Sequence, residues 1–549
     1  MPLRASLPHA TPRAPVPAHP VLNLASPACS LRPLRKRAWL LLLAGSLLCP
    51  PSLQGALAQN NLPALGDAVS DDFGVGAERK LGDQIMREIR RDPDYLDDPV
   101  LLEYLQSIWQ PLVAQSRARG NIGADIDQRF AWEPFLVRDR SVNAFALPGG
   151  FVGVHLGLMA MTATRDELAS VVAHEMSHVT QRHIARSITN SKRQSLIGVA
   201  ALIVGVLAAT RSGSGSTDAA NAVIAGGQAA AIQGQLNFSR DMEREADRIG
   251  FAVMSGAGFA PGGMAAMFEK LDQSSRLNDS GGYPYLRTHP LTTERIGEAR
   301  ARLGTSPAAA PASLLEHSLA QARARVLMDP RADALRRWQA QDSERASAGV
   351  PERLAAAYAS ALACTLLRDW VRADAALLNA LALARGNARS ERAVVLLSVQ
   401  SLLERGDPAR AAEALRPHAA EPSRPVILLA AQVTLATTTA SPPDDAALKR
   451  RADELQTWVA VHSMDSTAWA LLGQTWGRLN QPLRSLRADA ESRVALGDLA
   501  GAVDRLRAGQ RRARSGGAMD FIEVSVIDAR LRDIEVQRKQ LLAEERAAQ

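Results

Sequence analysis

Two histidines four residues apart, His174 and His178 in the string H-E-M-S-H, would share one face of a helix and aim two imidazoles at one point. Zinc takes neutral imidazole nitrogen at about 2.0–2.1 Å, and a hydrolytic zinc site uses three protein ligands and keeps a fourth position for water. Glu175, between the histidines, is then the base that deprotonates that water. The flanking residues predict the required helix. Thr164 and Glu167 form a capping box, and Leu168, Val171 and Val172 begin an apolar stripe that runs to about Arg186.

A third ligand must come from elsewhere in the chain. His183 lies five residues past His178, about 140° around the same helix, without the spacing and glycine of a metzincin extension, and reads as a surface histidine. Glu243 is the better candidate. It sits in S-R-D-M-E-R-E-A-D at 239–247, on a second helix expected to end at Gly250, and shares a face with Asp247. Glu243 can coordinate the ion while Asp247, one turn on, accepts the free N–H of a ligand histidine and fixes its tautomer. Glu245 then points elsewhere. One Zn2+ per chain is expected, held by His174, His178 and Glu243, with Glu175 and Asp247 as the catalytic carboxylates.

With these motifs on the page, the chain resembles the gluzincin peptidases of the HtpX and CAAX-endopeptidase type, whose signature joins H-E-x-x-H to S-R-x-x-E-x-x-A-D. More narrowly it resembles the bacterial periplasmic BepA type, a peptidase domain joined to tetratricopeptide repeats. The pieces that carry this are N-A-F-A-L-P-G-G at 143–150, H-E-M-S-H-V-T-Q-R-H at 174–183, the run 239–247 and T-H-P-L at 288–291. The likeness extends from about Asp71 onward.

The resemblance implies that His289 approaches the metal. As a fourth ligand it would displace water and keep the enzyme latent; as a free donor it would stabilise the oxyanion of the tetrahedral intermediate. A loop histidine with no metal contact is the third reading. The resemblance also implies a periplasmic location, with misfolded or stalled outer-membrane proteins as substrates, docking to the outer-membrane assembly machinery through the repeats, and some chaperone activity.

Composition is read after setting aside the N-terminus. Arg35, Lys36 and Arg37, an apolar run at 38–48 and A-L-A at 56–58 follow the order of a secretory signal, so residues 1–58 are expected to be a cleaved leader. Six basic residues and no acid lie before that point, and removing them takes the formal charge from +7 to +1. A nucleic-acid partner is therefore excluded. Of the three cysteines only Cys364 lies beyond the leader, so no internal disulfide is expected there; it reads as a packed thiol.

The remaining chain is too long for one core, and its composition changes partway. Residues 70–305 carry the glycines, strand signals and metal motifs and are expected to form the zinc peptidase domain. Residues 313–545, rich in alanine, leucine and arginine, are expected to form the repeats, after a small-residue linker at 304–311. The fold class is thus mainly α with a small β-sheet, a gluzincin-type peptidase domain followed by an α-solenoid. Segments 130–137 and 150–155 read as strands around a Pro148-Gly149-Gly150 turn. An edge strand at 143–146 or 152–155 is the candidate to hold a substrate backbone extended; a purely structural hairpin is the other reading.

In the second half, W-A-L-L-G-Q-T-W at 469–476 fits the repeat pattern W-x2-L-G-x2-Y with Trp476 in place of tyrosine. The turn pairs Arg368-Asp369, Gly406-Asp407, Asn480-Gln481 and Gly497-Asp498 separate helical stretches. Stacked helix pairs of this kind make a concave groove for a protein segment.

Two further function classes stay open. One is a non-proteolytic chaperone or assembly adaptor whose metal site is blocked or structural. The other is an integral membrane peptidase, which needs residues 196–209 to span a bilayer. That run of fourteen apolar residues is shorter than the roughly twenty a spanning helix needs; 196–235 reads instead as an amphipathic helical excursion near the site that packs on the domain itself, with 196–209 the candidate for peripheral membrane contact.

Overall fold

The computed structural model describes residues 73–190, 239–277, 283–303, 314–344, 348–440, 444–515 and 520–548. The expected leader at 1–58, the excursion at 196–235 with its apolar run at 196–209, and the linker at 304–311 lie outside the described residues. Among the described residues no helix is long and apolar enough to cross a membrane.

The chain is mainly helical, with one four-stranded sheet, as the sequence led us to expect. The first part runs through α1 (Val75–Arg91), β1 (Tyr95–Leu96), α2 (Pro99–Ala118), α3 (Ala124–Arg129), β2 (Glu133–Val137), β3 (Ala144–Leu147), β4 (Phe151–His155), α4 (Leu156–Met161), α5 (Arg165–Thr180) and α6 (His183–Asn190). It continues through α7 (Arg240–Gly256), α8 (Gly262–Leu277), α9 (Pro284–Thr288) and α10 (Thr293–Leu303).

The strand order is β1-β2-β4-β3, with β4 parallel to β2 and antiparallel to β3. Gly149 and Gly150 both take positive φ, 78° and 93°, which suits glycine and closes the β3–β4 hairpin tightly. Of the two edge-strand candidates the sheet therefore leaves 144–147 at an edge, whereas β4 is paired on both sides and buried along its length.

Helix α5 is buried from Asp166 to Thr180 and packs against α2, α7, α8 and β3. Its start is the capping arrangement the sequence indicates: Thr164 Oγ1 accepts from the Glu167 N–H at 3.1 Å, and Glu167 Oε2 accepts from the Ala163 N–H at 2.6 Å. Glu167 also meets Lys270 of α8 at 2.5 Å, so the cap ties two elements together. Helix α7 crosses α5 closely at Gly250, where an added Cβ would stand 3.2 Å from the backbone of Ala173 and His174. That contact explains a glycine in mid-helix, where the sequence reading had ended the helix; α7 runs on to Gly256.

From Leu314 the described chain is a succession of helices, each packed on its neighbours, beginning with α11 (Leu314–Leu327). The left-handed residues Arg368, Gly406, Asn480 and Gly497 end helices here. Asp369, Asp407 and Asp498 then cap the following ones by accepting N–H groups three residues on. Three arginines join this part to the start of α2. Arg323 makes a two-pronged pair with Asp98 at 2.7 and 2.8 Å, Arg392 reaches Glu103 at 2.7 Å, and Arg424 reaches Asp97 at 2.7 Å. His317 of α11 accepts from the Tyr104 hydroxyl at 2.7 Å and donates to the Thr162 carbonyl at 2.9 Å. These contacts brace α4 and α2, the latter packed against the helix bearing the histidine pair.

Candidate functional site

Four elements deliver the site. α5 carries His174, Glu175 and His178; α7 carries Glu243 and Asp247; His289 follows α9 directly; Arg295 comes from α10. All seven side chains are buried. The structure brings together His174, His178, Glu243 and His289, each offering one ligand atom, and those four atoms lie within 4.8 Å of one another.

The individual spacings are more telling. His174 Nε2 stands 3.0 Å from His178 Nε2, 3.3 Å from His289 Nδ1 and 3.4 Å from Glu243 Oε2. Glu243 Oε1 lies 3.0 Å from His289 Nδ1 and 3.5 Å from His178 Nε2. A tetrahedral ion with ligands at about 2.0–2.1 Å puts its ligand atoms about 3.3–3.4 Å apart, close to the His174–His289 and His174–Glu243 spacings, so these four groups could close on one ion. His289 Nδ1 is the fourth potential ligand atom of the cluster.

The electrostatics favour a cation at the centre. Burial opposes a charge on His174, yet the Asp247 and Glu243 carboxylates outweigh it and raise its pKa to about 10. Burial and the neighbouring His174 both push His178 down, keeping its nitrogen lone pair available. Burial also opposes ionisation of Glu243 and Asp247, but His289 and His174 hold Glu243 low, and Arg295 with His174 hold Asp247 low. Glu175 is the exception: burial raises it, outweighing the lowering by His289, His174 and the Ala146 backbone, and no other side chain hydrogen-bonds its carboxyl group. A carboxylate left in that state inside a metal site can take up a proton and pass it on. A divalent ion plus Arg295 would balance Glu175, Glu243 and Asp247 in formal charge.

Each histidine of the pair is backed from behind. His174 Nδ1 is 2.9 Å from Asp247 Oδ1, the partnership the i, i+4 spacing of Glu243 and Asp247 suggests. His178 Nδ1 is 2.9 Å from His183 Nδ1, and His183 Nε2 is 3.0 Å from Glu245 Oε2. With Nε2 of His178 turned to the ion, its Nδ1–H donates to His183, whose Nε2–H in turn donates to Glu245. Burial keeps His183 neutral, as an acceptor must be, and the His183 bond lowers Glu245 to about 2.

Here the structure corrects the sequence reading. His183 is wholly buried rather than on the surface, and α5 does not continue to Arg186. Arg182 takes a left-handed φ of 52°, held by its Nε on Glu78 Oε2 at 2.8 Å and its Nη2 on the Phe73 carbonyl at 2.9 Å. That break turns His183 back toward His178. Replacing His183 by alanine is expected to weaken metal affinity by about 10–100-fold while leaving the three proposed ligands in place. Competition against a chromophoric chelator measures this, and unchanged affinity would count against the backing role.

Arg295 is the residue sequence reasoning passed over. Its guanidinium meets both Asp247 oxygens, at 2.7 and 2.8 Å, and Glu243 Oε2 at 2.8 Å, while also donating to the Pro290 carbonyl. Its signal was electrostatic: two carboxylates assigned to a buried site call for a cation beyond the metal.

Comparisons with known proteins bear on the family to which this site belongs. The pattern of peptidase family M48 matches residues 103–303. The beta-barrel assembly-enhancing protease of Yersinia pestis is 30% identical over 496 residues, covering 89% of this chain and 95% of that protein. A Vibrio cholerae relative of the same naming is 39% identical over 271 residues, 49% of this chain and about half, 53%, of its own length. The mitochondrial metalloendopeptidase OMA1 of Saccharomyces cerevisiae is 29% identical over 197 residues, 35% of this chain and 53% of that protein.

Proposed function

Since the chain belongs to peptidase family M48, alongside the beta-barrel assembly-enhancing proteases, we propose that it is a zinc-dependent endopeptidase of the bacterial periplasm that acts on outer-membrane β-barrel precursors. The observation that carries the catalytic part is the convergence of His174, His178 and Glu243, within the four-residue cluster that includes His289, with the buried Glu175 beside it. In this reading His174, His178 and Glu243 hold the ion. When bound, zinc supplies Lewis acidity, polarising a peptide carbonyl and making water more acidic. Glu175 takes the proton from the attacking water on a carboxyl oxygen and returns it to the leaving amine nitrogen. Asp247 keeps His174 in the tautomer that presents Nε2, and Arg295 holds Asp247.

Substrate positioning falls to β3. It lies at the sheet edge and packs on α5, so an extended peptide added there runs past Glu175. The helices from Leu314 onward are read as tetratricopeptide repeats that dock proteins, including the outer-membrane assembly machinery. The zinc peptidase domain is taken as 70–305 and the repeats as 313–545.

A specific observation favours a second reading. His289 Nδ1 lies 3.3 Å from His174 Nε2 and 3.0 Å from Glu243 Oε1, so it would join the other three in holding an ion and take the place a catalytic water needs, leaving the site latent until His289 swings away. If it never does, the protein is an assembly adaptor with a blocked metal site. Incubating the purified chain with a denatured outer-membrane β-barrel, with and without a zinc chelator, separates the two. Chelator-sensitive cleavage is expected, and no cleavage at any zinc level would leave the adaptor.

A further inference from the structure

Four residues before His289, Tyr285 is enclosed in the same site. It is among the largest fully buried side chains, and its hydroxyl has no hydrogen-bond partner. Burying a phenol without a partner is unfavourable, and buried tyrosines normally find one. An orphaned donor fixed inside a polar site points to a partner that arrives with the substrate.

The residue is held on every side. Its N–H donates to the Val142 carbonyl at the approach to β3, and its own carbonyl accepts from the His289 N–H at 2.8 Å. The ring stacks on His289, centroids 4.7 Å apart at 28°, and stands edge-on to His174 at 6.4 Å. These two ring contacts set the residue against a histidine of the H-E-x-x-H pair and against His289, within the buried cluster. Burial first, and then Glu175, push the phenol well above its ordinary pKa, so it keeps its proton and remains a donor.

We propose that Tyr285 is a catalytic residue of the peptidase reaction, its hydroxyl donating a hydrogen bond to the scissile carbonyl oxygen as that oxygen gains negative charge. The phenol transfers no proton and forms no covalent bond; water still loses its proton to Glu175. The role rests on the peptidase reading given above. Its position, locked to the edge strand through Val142 and to His289 through one helical turn, is what a preorganised oxyanion donor requires.

Tyr285→Phe removes the hydroxyl and keeps the stacked ring. In the zinc-loaded full chain, kcat for a peptide the wild type cleaves is expected to fall by about 100-fold, with KM within about threefold. Affinity for a phosphinic peptide, which mimics the tetrahedral oxyanion, should fall by a similar factor. The melting temperature of the metal-free variant should equal or exceed that of the wild type, because the group removed makes no bond. The proposal is overturned if kcat and phosphinic-peptide affinity both stay within about threefold of wild type. It is equally overturned if the variant melts clearly lower, which would give the hydroxyl a structural partner. The wild-type arm reports separately on the peptidase reading: a wild type that neither binds zinc nor cleaves peptide overturns that reading, and this one with it.

Discussion

Glu175→Gln is expected to lower peptide hydrolysis by about 10³-fold or more while the protein still binds its metal and stays folded. The side chain is fully buried beside the histidine pair, with His289 Nε2 3.5 Å from one carboxyl oxygen. Glutamine keeps the size and polarity but cannot accept a proton at neutral pH, so the change isolates proton transfer from positioning. Replacing a destabilised buried carboxyl by a neutral amide should leave the melting temperature level or slightly higher. Steady-state kinetics on a denatured β-barrel substrate, beside metal analysis of the same sample, provides the check. Residual activity within tenfold of wild type would remove Glu175 from the role of base.

Glu243→Ala is expected to do more damage, to both metal binding and stability. Its carboxylate is one of the four groups of the cluster and contacts Arg295 at 2.8 Å. Without it two imidazoles and His289 remain for the ion, and the buried guanidinium loses one of its two carboxylates. Breaking a buried ion pair by removing one partner costs about 3–5 kcal/mol, and the retained Asp247 contacts should keep this case toward the lower end. Zinc content should fall from one per chain to a small fraction. Denaturant unfolding with metal analysis reads both effects, and a variant that retains stoichiometric zinc would show that the ion is held elsewhere.

The site was legible in the sequence wherever a local period carried it. The i, i+4 spacings of His174 with His178 and of Glu243 with Asp247 fix faces of single helices, and the capping pair Thr164 and Glu167 marks where the first helix begins. Turn chemistry marked helix ends as well: Gly406 and Gly497 adopt the left-handed conformation that glycine tolerates. What escaped depends on contacts between distant segments. His183 was misplaced because nothing in the residue type of Arg182 announces a left-handed kink; Glu78 and Phe73, about a hundred residues earlier, impose it. Arg295 and Tyr285 gain meaning only once α9 and α10 pack over α7 and the carboxylates meet. The sheet was half read for the same reason: β3 was seen only as a candidate edge, and the two-residue β1 is too short to leave a pattern.

The account depends on a single ion gripped by two helices distant in sequence, α5 through His174 and His178 and α7 through Glu243. X-ray absorption at the zinc edge, combined with anomalous diffraction from crystals of the purified chain, tests it most directly. One zinc per chain is predicted, with His174 Nε2 and His178 Nε2 at about 2.0–2.1 Å and a Glu243 oxygen at about 2.0–2.2 Å. An ion bound away from the His174 and His178 pair, or a Glu243 carboxylate that stays uncoordinated in the zinc-loaded protein, would contradict it.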